Sequence, residues 1–213
     1  MIKNIIFDLD GLLADTERLH IKAYRQTMKE FSCELSTESY QSHWIRKGLG
    51  IEEYIEKHKL NLNPKEVHSR KLIIYWNLLD TELKPMPFAY DVLKNLRDNY
   101  RLFLASNSIS KNVNKVIKNL DMKHFFENIA FKESVKRSKP FPDIFLYLSN
   151  EYNLIPDETV VLEDAQKGID AAYAAGMKSI AVPTQYTSDN DFSKADIVVE
   201  SLGDITIELI KQL

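Results

Sequence analysis

The sequence predicts an α/β fold: a parallel sheet flanked by helices and interrupted by an all-helical insertion. Three observations carry this. A short apolar run, Ile5-Ile6-Phe7, ends at Asp8-Leu9-Asp10-Gly11, the pattern of a buried strand feeding a loop. From about Glu17 to Trp76 apolar residues recur at helical spacing, and strand-like runs are absent. After Pro85-Met86-Pro87, strand-like and helix-like segments alternate to the end of the chain, and alternation of this kind builds a parallel sheet with helices on both faces.

The elements follow in order. Leu19, Ala23, Tyr24, Met28 and Phe31 define one helix, and segments around Tyr54 and Ile55 and from Leu72 to Leu79 define others. Beyond the punctuating prolines, Leu102 to Ala105 reads as a strand, Lys111 to Leu120 as a helix and Asn128 to Phe131 as a short strand. Pro142 suits the first turn of a helix running to about Tyr152, because its missing N–H is an orphan there anyway. Val160 to Leu162 is a strand, and Lys167 to Ala175 a helix stopped by Gly176. Ser179 to Val182 and Ile197 to Val199 complete the strands before a last helix. The expected organisation is a core of residues 1–14 and 86–213 with a helical unit of residues 15–85, without internal repeats.

Composition excludes several classes. A net charge of −3 and the lack of a dense basic run argue against nucleic-acid and membrane-surface partners. The basic stretch from Ser134 to Lys139 is short, and suits one phosphate group better than a polymer. Cys33 is the only cysteine, so neither an internal disulfide nor a cysteine-rich metal site can form. Asp8 cuts the N-terminal apolar run too short for a signal peptide, and no stretch reaches the roughly 18 apolar residues of a membrane span. A cytoplasmic location is expected. No feature sets an oligomeric state, and a monomer is the default.

In an open parallel sheet, ligands bind beyond the carboxyl ends of the strands. Four polar groupings fall at such ends: Asp8 with Asp10, Ser106 with Asn107, Lys139 before a helix, and Glu163 with Asp164. Carboxylates placed this closely repel and resist desolvation, and a divalent cation such as Mg²⁺ would resolve the conflict. Each grouping has a plainer reading. Acids at strand ends serve as loop caps, Ser106 would serve as a helix N-cap, and Lys139 as a surface lysine. Asp143 is read as complementing its helix. The coincidence of all four groupings favours chemistry.

The text Phe7-Asp8-Leu9-Asp10-Gly11-Leu12-Leu13 with Asp15-Thr16, Ala105-Ser106-Asn107-Ser108, Lys139-Pro140-Phe141-Pro142-Asp143-Ile144-Phe145 and Leu162-Glu163-Asp164-Ala165 with Gly168-Ile169 and Ala174-Ala175-Gly176 resembles the haloacid-dehalogenase-like superfamily. The likeness is nearest to the β-phosphoglucomutase-like group of sugar-phosphate phosphatases and mutases, which carry a helical cap on a Rossmann-like core. The resemblance implies Asp8 as the nucleophile that takes a phosphoryl group from a small phosphorylated substrate. It implies Asp10 as acid and then base, Ser106 and neighbouring amides as holders of the phosphoryl oxygens, and Lys139 as their counter-charge. It implies Mg²⁺ held by Asp8, the Asp10 carbonyl, Glu163 and Asp164. Dehalogenases of this family lack an acid at the Asp10 position, so phosphate esters are the expected substrates.

Substrate contacts are expected from Asn107 and, in the cap, from His20, Arg46 and Lys47. The segment Arg46 to Glu53 resembles the cap's substrate loop, but Ile51 stands where a mutase is expected to place Arg. A second departure is Phe131-Lys132, where relatives carry a small residue and Gly. Plain phosphatase action is therefore the first expectation. A β-phosphoglucomutase-like mutase is the alternative, and a non-catalytic binding or regulatory protein on the same fold is the minor one.

Overall fold

The computed structural model describes residues 1–213. In chain order its elements are β1 (Asn4–Phe7), α1 (Thr16–Glu30), α2 (Thr37–Tyr40), α3 (Ile51–Lys57), α4 (Pro64–Thr81), α5 (Ala89–Arg97), β2 (Arg101–Ala105), α6 (Ser110–Asn119), β3 (Asn128–Ala130), α7 (Asp143–Tyr152), β4 (Thr159–Glu163), α8 (Gln166–Ala174), β5 (Lys178–Ala181), β6 (Ile197–Val198) and α9 (Ile207–Ile210). They form two compact units, one of Met1–Asp15 with Lys84–Leu213 and one of Thr16–Leu83. The divisions fall one and two residues from the expected boundaries. The reason is local: Ala14 bridges Pro85, and the Asp15 N–H donates to the Lys84 carbonyl at 3.0 Å. The outgoing and returning chains are therefore tied together within the first unit.

That unit is a six-stranded sheet in the order β3-β2-β1-β4-β5-β6, and every pair is parallel. Short β-rich runs buried on both faces are what such a sheet requires, and β1, β4 and most of β2 are buried throughout. Alternation along the strands sends Ile6, Phe103, Ala105 and Val161 to one face, where Ile144, Phe145 and Leu148 of α7 and Ala171 and Ala172 of α8 close over them. The small side chains of α8 let this helix lie close to the strands. From β1 the chain builds outward to β2 and β3, then crosses back to β4 on the other side of β1. The switch point lies between β1 and β4, and a crevice forms beyond the strand ends at such a point.

The second unit is helical, as expected. α1 packs along α4 through residues such as Leu19, Ala23, Met28, Val67, Tyr75 and Leu79, all buried. Asn63 caps α4 by accepting from the Lys65 N–H, and Pro64 takes the first position. Gln41–Arg46 form a π-helical turn.

Candidate active site

Asp8 is the first residue past β1, and its N–H still donates to the Leu162 carbonyl of β4 at 3.0 Å. The chain then turns sharply: the Leu13 and Ala14 N–H groups both return to the Leu9 carbonyl. Gly11 sits in this turn with a φ of 90°, which a side chain resists. The result is a carboxylate just past a strand end, buried to 7% exposure.

Lys139 reaches this carboxylate from the loop between β3 and α7. Its Nζ donates to Asp8 Oδ1 at 2.7 Å, to Glu163 Oε1 at 2.6 Å and to the Ala105 carbonyl at 2.7 Å. Burial pulls the ammonium toward neutrality, but the Asp8 and Glu163 charges outweigh it and hold its pKa above the ordinary lysine value. The Asp8 carboxyl is pushed up to about 7, first by burial and then by Glu163, against the opposing pull of Lys139. One ammonium does not neutralise the carboxylates gathered here.

Asp8, Glu163 and Asp164 bring carboxylate oxygens within 4.8 Å of one another. Two glycines make the room. A Cβ on Gly168 would lie 1.9 Å from Glu163 Cδ, and one on Gly11 would lie 2.5 Å from Asp164 Oδ2. Hard oxygen donors, a surplus of negative charge and backbone cleared around two of the acids fit a divalent cation such as Mg²⁺.

Asp10, two residues on, is held differently. Ser106 Oγ and Ser108 Oγ both donate to its Oδ2, at 2.9 and 2.8 Å. The Ser108 N–H in turn donates to Ser106 Oγ at 3.0 Å. Ser106 is fully buried and is not a helix cap, since α6 begins after Ile109. Glu133 serves that end instead, accepting from the Ser110 N–H and Oγ, as a carboxylate at a helix N-terminus should. Asp143 is bidentate to Arg137 at 3.0 and 2.8 Å, which agrees with its structural reading.

The family profile described as haloacid dehalogenase-like hydrolase matches residues 5–182. The chain belongs to the haloacid dehalogenase-like hydrolases. Among its relatives, a phosphorylated carbohydrates phosphatase of Thermotoga maritima is 31% identical over 83% of this chain and 82% of that one. A β-phosphoglucomutase of Bacillus subtilis is 28% identical over 99% of this chain and 95% of its own length. The crystal structure of CbbY from Rhodobacter sphaeroides in complex with xylulose-(1,5)bisphosphate superposes with a TM-score of 0.82 at 28% identity, covering 96% of both chains. This hydrolase falls in the phosphatase branch of the family, among phosphoric monoester hydrolases.

The remaining expected site residues of the hydrolase divide between the units. Asn107, in the sheet unit, spends both amide atoms on the backbone of Lys139. His20, Arg46 and Lys47 belong to the helical unit. His20 stacks on Tyr75 with ring centroids 4.0 Å apart, and its Nδ1 lies 2.6 Å from the Nζ of buried Lys71. Arg46 is half-exposed and pairs with Glu38 at 3.8 Å, and Lys47 is exposed. Ile51 is buried as the first residue of α3.

Sequence reasoning missed two features. Ser108 was legible only as part of a serine-rich loop, although its spacing of two from Ser106 was the available signal. Gly11 and Gly168 stood in recognisable motifs, but only the fold reveals the acids that occupy their Cβ positions.

Proposed function

We propose that this hydrolase is a Mg²⁺-dependent phosphatase that cleaves a small phosphorylated metabolite, such as a sugar phosphate, through an aspartyl-phosphate on Asp8. The observation that carries the reading is the contact of Lys139 with Asp8 at 2.7 Å beside a second acid, Asp10, gripped by Ser106 and Ser108. Two acids, two serine hydroxyls and one ammonium thus meet beyond the carboxyl ends of β1 and β2.

In the first half-reaction an Asp8 oxygen bonds to phosphorus while the ester P–O bond breaks. Asp10 gives its proton to the departing alcohol oxygen. In the second, Asp10 takes a proton from water as the water oxygen attacks phosphorus, and Asp8 is released with inorganic phosphate. With substrate bound, Ser106 would turn its hydroxyl from Asp10 to a phosphoryl oxygen, and Lys139 would counter the charge of the transferring group. Asp8, Glu163, Asp164 and the Asp10 carbonyl would hold Mg²⁺, which when bound supplies charge neutralisation and phosphate orientation. His20, Arg46 and Lys47 are assigned to substrate contact from their place in the sequence alone. The sugar-phosphate class is supported by the carbohydrate phosphatase relative.

The test is a screen of phosphorylated metabolites with Mg²⁺, reading released phosphate. Turnover of a sugar phosphate that stops on addition of chelator is the expected result. Full activity in metal-free buffer, or no released phosphate from any monoester, would overturn the reading.

A further inference from the structure

We propose that Asn107 is a positioning residue for catalysis: its side-chain amide fixes Lys139 against Ser106, and it does not bind substrate. The proposal deepens the phosphatase reading and rests on it for the role of Lys139.

Lys139 lies between the turn that follows β3 and the start of α7, where no strand or helix holds the backbone. The Asn107 amide substitutes for one. Its Nδ2 donates to the Lys139 carbonyl at 3.1 Å, and its Oδ1 accepts from the Lys139 N–H at 3.0 Å. One side chain therefore satisfies both backbone polar groups of the lysine, across 32 residues of sequence. Pro140 follows and offers no N–H of its own.

The consequence is geometric. Asn107 is bonded covalently to Ser106, whose hydroxyl donates to Asp10, while Lys139 Nζ donates to Asp8. The two donors are thereby set at a fixed spacing by one planar amide. Phosphoryl transfer depends on positioning, and a misplacement of about 1 Å costs on the order of 10²-fold. No other side chain fills this role. Asp keeps the acceptor but turns a second oxygen toward the Lys139 carbonyl, Gln is a methylene too long, and Ser lacks the reach. One N–H and one oxygen lone pair of the amide remain, but the two bonds to the Lys139 backbone fix its plane and direction.

The experiment is a double-mutant cycle with Asn107→Ala and Lys139→Ala on an activated aryl phosphate, together with beryllofluoride binding measured by calorimetry. Beryllofluoride mimics an aspartyl-phosphate and needs no turnover. Asn107→Ala alone should lower kcat by about 10- to 100-fold with KM within about threefold, and should weaken beryllofluoride binding. In the Lys139→Ala background the same change should add no more than about twofold, because the lysine it positions is gone. Where Asn107→Ala does not fold, Asn107→Asp carries the same cycle. Independent, multiplicative losses would overturn the proposal, as would a raised KM at unchanged kcat, which marks a substrate contact. A wild type that binds beryllofluoride yet hydrolyses no ester sinks the phosphatase reading alone, and the cycle is then read on binding.

Discussion

Glu163 occupies the place where Gly168 would carry a side chain. A Cβ there would stand 1.9 Å from the carboxylate carbon and 2.0 Å from Oε1. Gly168 lies in the first turn of α8, where glycine lowers helix stability by roughly 1 kcal/mol relative to alanine. The exchange is explained by the acid it admits. Gly168→Ala should therefore improve local helix propensity and still damage the protein, since Glu163 must leave its contact with Lys139. Overpacking costs about 1–3 kcal/mol, and a displaced ligand should weaken Mg²⁺ binding by about 10- to 100-fold. Calorimetric titration of Mg²⁺ checks this; an unchanged affinity would show that Glu163 has no part in holding the ion.

The Asp8 carboxyl should make the proposed metal binding sensitive to pH. Its folded-state value of about 7 lies above the ordinary 3.8 because burial and Glu163 disfavour its charge. The metal-free fold therefore holds this proton more tightly than the unfolded chain does, and the group's contribution to stability is lost as pH rises from about 4 to about 7. A cation bound at Asp8 competes with the same proton. The gain in Tm on adding Mg²⁺ should be larger at about pH 8 than at about pH 5.5, and Asp8→Asn should remove most of the difference. A Mg²⁺ shift independent of pH would contradict it.

The two acids predict different failures. On the proposed mechanism Asp8→Asn should leave almost no turnover, because a neutral amide replaces the carboxylate nucleophile. Asp10→Asn keeps the backbone carbonyl and loses proton transfer, costing about 10²–10⁴-fold in kcat. Ser108→Ala removes one of two hydroxyls orienting Asp10. A hydrogen bond to a charged group contributes about 1.5–3 kcal/mol, so kcat should fall by about 10- to 100-fold with KM little changed. The losses in Asp10→Asn and Ser108→Ala should shrink together on an ester whose alcohol leaves without protonation. Rates independent of the leaving group would remove the acid role from Asp10.

How much of this was legible in the sequence follows from which interactions are local. β1 and β4 read clearly because short apolar runs bounded by acids leave few alternatives, whereas of α4 only Leu72 to Leu79 was read, and its start at Asn63-Pro64 was not. α5 was overlooked although Ala89, Val92, Leu93 and Leu96 show helical spacing; it is brief and stands against the Pro85-Met86-Pro87 signal. The core acids, Ser106 and Lys139 were legible as polar groupings at the ends of expected strands, and the folded sheet brings them together. The hydrogen bonds of Ser108, the amide clamp of Asn107 and the space beside Gly168 were not legible. Each depends on partners between 5 and 98 residues away that only the folded sheet brings together.

On the proposed mechanism a hydrolase and a mutase would share Asp8, Asp10 and the metal, so core variants would not separate them. What differs is the group that accepts phosphoryl from Asp8: water, or a second hydroxyl of a bound sugar phosphate. A mutase must hold a bisphosphate by its distal end while the intermediate reorients, which demands a firm second phosphate site. In this chain Ile51, at the position expected for an arginine, is buried within the helical unit as the start of α3. Arg46 is half-exposed and already faces Glu38, a pairing in water worth little but adverse to an incoming dianion. Water should therefore win, and each ester cleaved should release one inorganic phosphate with little isomer formed. A phosphorus NMR time course reads this, with both anomers of glucose 1-phosphate, with and without a catalytic amount of the bisphosphate. Rapid conversion to glucose 6-phosphate with negligible free phosphate would defeat the hydrolase reading and direct attention to Arg46 and Lys47. In that event Arg46→Ala should abolish isomerisation while sparing hydrolysis of a simple aryl phosphate.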